Sequence, residues 1–145
     1  MGETDRPTTG LIWRERFFAI GGFDPALSMS ADWDLLLRVL LDGSVAYVDE
    51  PLVRYRLHAS NMSRDVHRME HDMIYAYGKA FADPRLPEAL RQRRRKAYGR
   101  LYRMLAGSYR DRREVAPALR TLALALRHDP LVALELVAMK RYSSS

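Results

Sequence analysis

The spacing of apolar residues in the second half of the chain is the feature that most constrains the fold. From Val66 onward, apolar side chains recur every three or four residues, with breaks at Asp83-Pro84 and Pro87. This spacing is typical of helices that bury one face, and proline interrupts a helix because it lacks a backbone N–H. The pattern predicts an all-helical array of about four helices in residues 66–145.

Residues 1–65 show shorter segments of mixed character. Gly21 and Gly22 favour a left-handed helix end, Ser28 or Ser30 is a candidate N-cap for a longer helix, and Pro51 favours a strand edge or turn. The predicted elements are a strand over 8–13, a helix over 14–20, a helix ending near Leu41, and strands over Val45–Val48 and Leu52–Leu57.

Together these patterns predict a mainly α fold with a few short β-strands. Residues 1–65 would form an incomplete α/β domain, and residues 66–145 would form a helical extension. A chain of 145 residues is long enough for one core, or for one small core with an extension. The sequence contains no cysteine, which excludes disulfides, thiolate zinc sites and a thiol nucleophile.

Charge is unevenly distributed along the chain. Residues 1–65 carry seven Arg and ten acidic residues, a net charge of −3, whereas residues 66–145 carry seventeen Lys or Arg and eight acids, a net charge of +9. The densest basic run is RQRRRK, residues 91–96. It is a solvated helix face or a surface for an acidic partner or an anionic membrane. No nucleic-acid-binding module is visible, so we expect no nucleic-acid partner.

No apolar run reaches the roughly 18 residues that a membrane-spanning helix needs. The first ten residues are polar and do not resemble a signal peptide. The expected location is therefore cytoplasmic, or the inner face of the membrane.

An acidic cluster opens the helix of the first half. Asp32 and Asp34 lie in its predicted first turn, where the helix dipole favours negative charge. That preference alone explains acids at this position. Alternatively, Asp32 is a general base that removes a proton from a substrate hydroxyl. If so, Trp33, between the two acids, could offer a flat apolar face to a sugar ring. More often a tryptophan in such a position is a core residue.

The segment RYRLH places three polar residues on one face of a predicted strand. Arg54, Arg56 and His58 alternate along it. They could clamp a phosphate, with His58 as a ligand to a metal or to the phosphate. The alternative is an exposed strand face that pairs with Asp32, Asp34 or Glu50.

Three segments in order carry a family resemblance. They are LIWRERFFAIGGFDPAL, then SADWDLLLRVLLDGSVAYVDEPLVRYRLH, then ASNMS, which together cover about residues 8–63. This series resembles the C-terminal half of the catalytic domain of family 2 glycosyltransferases, which have the GT-A fold and are mostly inverting. Asp32 matches the family's usual base, although Ala31 stands where that family usually has Glu.

The resemblance implies a nucleotide-sugar-dependent transferase in polysaccharide or cell-wall synthesis. Asp32 would be its general base, Trp33, Asp34 and Arg56 would bind substrate, and His58 would reach the metal. The substrates would be a nucleotide-diphosphate sugar and a hydroxyl acceptor, which is a sugar or a lipid-linked compound.

In that family the nucleotide-binding strands and the Asp-x-Asp metal motif belong to the N-terminal half of the domain. Here only one predicted strand and one short helix precede the Gly-Gly-Phe-Asp turn, so that half is missing from this sequence. We therefore expect the chain to be part of a longer enzyme and inactive alone. The divalent metal, Mn or Mg, would bind only in the full-length enzyme. Apolar surface that normally packs on the absent half would be exposed and would favour a homodimer.

Two further hypotheses come from other classes of protein. One is a helical interaction module that binds an acidic partner or an anionic membrane through residues 66–145. The other is a metal peptidase, because residues 67–71 read H-x-x-E-H. The peptidase pattern is only five residues long, and a solvated helix face explains it equally well.

Overall fold

The structure is a computed structural model that describes residues 10–54 and 65–132. Within these residues every regular element is a helix. The helices are α1 Arg14–Ala19, α2 Ala31–Asp42, α3 Val66–Ala82, α4 Glu88–Arg91, α5 Arg94–Asp111 and α6 Val115–His128. None of them combines the length and the apolar character needed to cross a bilayer.

The structure corrects the prediction of β-strands. Residues 10–13 and 44–49 have no regular structure, and residues 8, 9 and 55–57 lie outside the described part of the chain. A strand exists only when a neighbouring strand pairs with its backbone, and neither segment has such a neighbour among the described residues. The prediction of an incomplete α/β domain of the GT-A type, which needs a β-sheet core, is therefore wrong for these residues.

The chain forms two compact units, residues 1–86 and residues 87–145. The division lies inside the predicted helical extension, because α3 packs against α2 in the first unit. The apolar core of that unit is small. Its buried apolar side chains are Leu27, Val66, Met73 and Ala76.

Helix α1 ends as its sequence predicts. Gly21 and Gly22 have φ angles of 86° and 62°, a conformation that glycine adopts without steric cost. The Arg38 guanidinium of α2 donates to the carbonyls of Ile20 at 2.6 Å and Gly22 at 2.7 Å. The first bond satisfies a carbonyl that a helix end leaves without an intrahelical partner, and the second ties the turn after α1 to α2.

Helices α5 and α6 form an antiparallel hairpin that dominates the second unit. Leu101, Leu105 and Tyr109 of α5 are buried. On α6, however, the buried residues are Thr121 and Ala125, whereas Leu119 is 62% exposed. Small side chains therefore form the α6 contact, because the two backbones approach closely.

Gly99 shows how close that approach is. A Cβ atom placed on Gly99 would lie only 2.5 Å from the Cβ of Asp129 and 3.5 Å from the carbonyl oxygen of Ala125. Any larger residue at position 99 would push the end of α6 away from α5. The contact thus fixes the last turn of α6 beside the first half of α5.

Pro117 fits within α6 because it is the third residue of the helix. The first turn of a helix has no intrahelical partner for its N–H groups, so the missing N–H of proline costs nothing there. The first backbone bond of α6 comes from the next residue, where Ala118 N donates to the carbonyl of Glu114 at 3.1 Å. The N-cap of α6 is Glu114, and Asp111 is the last residue of α5.

The first unit exposes many large apolar side chains. The most exposed are Leu11, Trp13, Phe18, Val45, Tyr47, Val48 and Leu52. Exposed apolar patches often mark interaction surfaces. The homodimer expected from the sequence stays a prediction.

Candidate active site at the start of helix α2

The first turn of α2 holds three predicted site residues in three different environments. Asp34 is buried, with a relative exposure of 2%. Asp32 is half-buried, and Trp33 between them is 39% exposed. One helical turn therefore presents one acid to the interior and another to solvent.

Asp34 is held by two cations. Its Oδ2 accepts from Arg38 Nε at 2.9 Å and from Arg38 Nη2 at 2.6 Å, one turn along the same helix. Its Oδ1 lies 2.9 Å from Lys79 Nζ of α3. Both carboxylate oxygens are thus engaged, as a buried charge requires.

Lys79 links this pair to the turn before α2. Its Nζ also donates to Asp24 Oδ2, while Asp24 Oδ1 accepts from the backbone N of Ala26 at 2.9 Å. The hydrogen bonds from Lys79 and Ala26 hold the pKa of Asp24 below its usual range. Burial lowers the pKa of Lys79, but the carboxylates of Asp24 and Asp34 outweigh it, so the net shift is upward.

A second acid of α3 fixes the segment that leads into α2. Asp72 is 2% exposed, and its Oδ2 accepts from the backbone N–H groups of Ser28 at 2.8 Å and Met29 at 2.6 Å. The Ser28 hydroxyl adds a third bond at 3.2 Å. Burial raises the pKa of Asp72, and these hydrogen bonds lower it further than burial raises it.

The α2 N-cap differs from the sequence expectation in its chemistry. Ser30 occupies the N-cap position, but its side chain makes no capping hydrogen bond. The start of α2 is instead positioned from α3, through Asp72 on the preceding segment and Lys79 on Asp34. These contacts determine where Asp32 lies.

Asp32 remains available for chemistry. Its Oδ1 accepts from the backbone N of Trp33 at 2.8 Å, and no cation forms an ion pair with it among the described residues. In the first helical turn its carboxylate faces the positive end of the helix dipole. A half-exposed carboxylate without an ion pair can accept a proton from a hydroxyl group beside it.

The remaining predicted ligands and the peptidase pattern receive no support from the described residues. Arg56 and His58 lie outside the described residues. Within residues 10–54 and 65–132, no three potential metal-ligating side chains come together. Glu70, which a peptidase would need beside its metal-bound water, is buried at 8% relative exposure.

Sequence reasoning missed Asp72 and Lys79. Both lie on the face of α3 that carries buried Ala76, at spacings of four and three residues from it. Charged residues on the otherwise apolar face of a helix usually have a buried partner. That interruption of the apolar stripe was the available signal, although it does not reveal which segment supplies the partner.

No family model, curated protein sequence or solved structure matches this chain. The resemblance to family 2 glycosyltransferases therefore rests on the ordered sequence segments alone and stays a prediction.

Proposed function

We propose that this chain supplies the acceptor side of a glycosyltransferase, with Asp32 as the general base. One observation carries the proposal: two acids of the same helical turn differ in burial and in their ion pairs. Asp34 is buried and paired with Arg38 and Lys79, whereas Asp32 is half-buried and, among the described residues, bonds only to the backbone N of Trp33. The first has a structural role, which leaves the second for catalysis.

The proposed chemistry is a single displacement. The oxygen of the acceptor hydroxyl forms a bond to the anomeric carbon of the donor sugar as the bond from that carbon to the diphosphate oxygen breaks. The hydroxyl proton moves to an Asp32 carboxylate oxygen, and the diphosphate leaves with the bonding electron pair. One base is sufficient, in contrast with glycoside hydrolysis, which uses two carboxyl groups.

Trp33 would contribute an apolar face for the acceptor ring. Its side chain is 39% exposed and neighbours Asp32. The divalent metal that the resemblance implies has no three-ligand group within the described residues. The role proposed for Asp32 does not depend on it.

The test is Asp32→Asn in the complete product of the gene that encodes this chain, assayed with nucleotide sugars and hydroxyl acceptors. Loss of a general base lowers turnover by roughly 10²–10⁴-fold, and donor binding should remain. Asp49→Asn is the matched control, because Asp49 is exposed. Equal turnover in the two variants would overturn the role of Asp32.

A second candidate function is supported by the charge of the other unit. Between residues 87 and 132 there are twelve Lys or Arg against four Asp or Glu, a net charge of +8. Four consecutive exposed cations, Arg93–Lys96, stand at the start of α5. We propose that this face contacts an anionic membrane surface, where each basic residue contributes roughly 1 kcal/mol.

Flotation with phosphatidylglycerol vesicles tests this candidate. We expect the bound fraction to fall with added salt and with the triple substitution R93Q/R94Q/R95Q. The control R100Q/R110Q/R113Q removes the same charge from the remainder of α5 and the turn after it. No binding by the unaltered chain, or an equal loss in both variants, would refute an interaction centred on residues 93–96.

A further inference from the structure

Three aromatic rings lie against one another where the first half of α5 meets the last turn of α6. The ring of His128 stacks on Tyr98 with centroids 5.4 Å apart and an interplanar angle of 22°. It also contacts Tyr102, with centroids 5.5 Å apart. Both tyrosines are buried, and Gly99 between them permits the close approach of α6. The position of the His128 ring is thus well determined by packing.

Arg94 contacts this group of rings, and the charges of Arg95 and Arg127 also act on His128. Arg94 places its guanidinium carbon 5.7 Å from the centroid of Tyr98, on the side of the cluster formed by the first turn of α5. Arg95 follows it, and Arg127 precedes His128 in the last turn of α6. Stacking on an aromatic ring holds a guanidinium in a fixed plane and leaves its N–H groups available.

These arginines have no carboxylate partner within residues 87–132. All four acids of that range have other partners: Glu88 pairs with Arg91, Asp111 with Arg110 and Glu114 with Arg112. The fourth, Asp129, accepts from the backbone N of Leu131 at 3.1 Å. Like charges at close range repel one another, and within residues 87–132 no carboxylate balances the positive charge of this cluster.

We propose that Arg94, Arg95, Arg127 and His128 form a binding site for a phosphate group. Guanidinium groups match the geometry of phosphate oxygens through pairs of parallel hydrogen bonds, and an imidazolium adds a further donor. The proposal goes beyond both functions above, because it names one site and one chemical group instead of overall surface charge. The phosphate could belong to a free phosphorylated compound or to a lipid headgroup.

The protonation of His128 gives this site a direct readout. Burial lowers the pKa of His128 below its usual value, and the charges of Arg127, Arg95 and Arg94 lower it further. A bound phosphate adds negative charge beside the ring and favours the imidazolium. Binding should therefore raise the pKa of His128.

The experiment follows the histidine proton resonances of the full chain by NMR as a function of pH. Inorganic phosphate is compared with sodium chloride at equal ionic strength, because salt alone also screens the arginines. We expect phosphate to raise the pKa of His128 beyond the chloride value. His67 and His71 of α3, outside the proposed site, serve as internal references.

Arg127→Gln should weaken phosphate binding roughly tenfold, since it removes a charge-assisted donor pair. Arg100→Gln removes the same charge from an exposed position of α5 and should leave binding unchanged. No response to phosphate beyond chloride, together with no response to phosphatidylglycerol vesicles, would overturn the site. An equal loss in the two variants would also overturn it.

The same resonance separates the two sources of phosphate. A shift of the His128 pKa with inorganic phosphate supports a free phosphorylated ligand, whereas a shift with phosphatidylglycerol vesicles alone supports a headgroup. Vesicle binding together with an unchanged His128 pKa in both inorganic phosphate and vesicles would refute this site and leave the membrane-surface candidate intact.

Discussion

The two compact units achieve order by different physical means. In the first, α2 and α3 bury few apolar side chains, and charged groups make the decisive contacts, with Asp34 between Arg38 and Lys79 and Asp72 on the backbone before α2. In the second, the α5–α6 hairpin buries a continuous set of leucine and tyrosine side chains, and its charges remain on the surface.

This difference separates the contacts that define where groups lie from the apolar burial that drives folding. Apolar burial stabilises a fold without regard to direction, whereas a buried carboxylate must meet its donors at defined positions. The first unit thus gains a defined placement of the α2 N-terminus, where Asp32 lies, but little apolar burial. The second unit gains stability from apolar burial and keeps Arg94, Arg95 and Arg127 exposed.

The largest expected effect is Leu105→Ala in the second unit. Leu105 is fully buried at 0% exposure, so its truncation should cost about 3 kcal/mol of unfolding free energy. Met104→Ala, at the neighbouring position that is 42% exposed, should cost under about 0.5 kcal/mol. Hydrogen exchange of the α5 amides measures both effects.

The fluorescence of Trp13 and Trp33, the two tryptophans of the chain, reports on the first unit alone. The denaturant concentration at which the first unit unfolds, measured by this fluorescence, should be the same in Leu105→Ala as in the unaltered chain. A midpoint that moved together with α5 exchange would show one cooperative fold and break the comparison.

Asp34→Asn should have the next largest effect, now in the first unit. Removing a buried charge leaves Arg38 and Lys79 without their shared partner. Because both cations are partly exposed, we expect a loss of about 2 kcal/mol, below the usual cost of breaking a fully buried pair. The tryptophan midpoint should fall.

Asp111→Asn is the control in the second unit, followed by α5 amide exchange, since Asp111 pairs with Arg110 on the surface. Such exposed pairs contribute roughly 0–1 kcal/mol. If the two variants lost equal stability, the buried charges of the first unit would have no special role.

Local patterns in the sequence predicted the helices well, because helical spacing and glycine stops act over a few residues. Gly21 and Gly22 end α1, and Ser30 precedes α2, as expected. The predicted strands are absent over 10–13 and 44–49, because a strand needs a paired neighbour and none lies among the described residues. Asp72 and Lys79 were missed for a similar reason: their partners lie 43 or more residues away in sequence.

A smaller effect of opposite sign is expected at the end of α5. Arg113 has a φ of 63°, a conformation that costs a non-glycine residue about 1–2 kcal/mol. Arg113→Gly relieves this strain but gains entropy in the unfolded chain, so the net stabilisation should be about 0.5 kcal/mol. Arg112, with a φ of −91°, is the control, and Arg112→Gly should destabilise. Hydrogen exchange of the α5 amides at rising temperature measures the stability of the second unit in both variants. A lower stability in Arg113→Gly would contradict the assignment of strain.

The smallest expected effect is a difference between the two units in how their stability depends on pH. The pKa of His128 is lower in the folded chain than its usual 6.5, through burial and then through Arg127, Arg95 and Arg94. The corresponding stability is complete above the unfolded pKa and is lost as the pH falls through the folded pKa. Asp24 and Asp72 have pKa values below 3.8, so their contribution is present above that value and is lost only in stronger acid.

Lowering the pH from about 7.5 to about 5 should therefore destabilise the second unit and leave the first unchanged. Urea unfolding followed by tryptophan fluorescence and by α5 amide exchange, corrected for intrinsic rates, separates the two. His128→Gln should abolish the response of the second unit, because the protonation of one imidazole is its cause. If the loss of stability at low pH persisted in this variant, another group would be its cause. Protonation of His128 would then not control the stability of the α5–α6 hairpin.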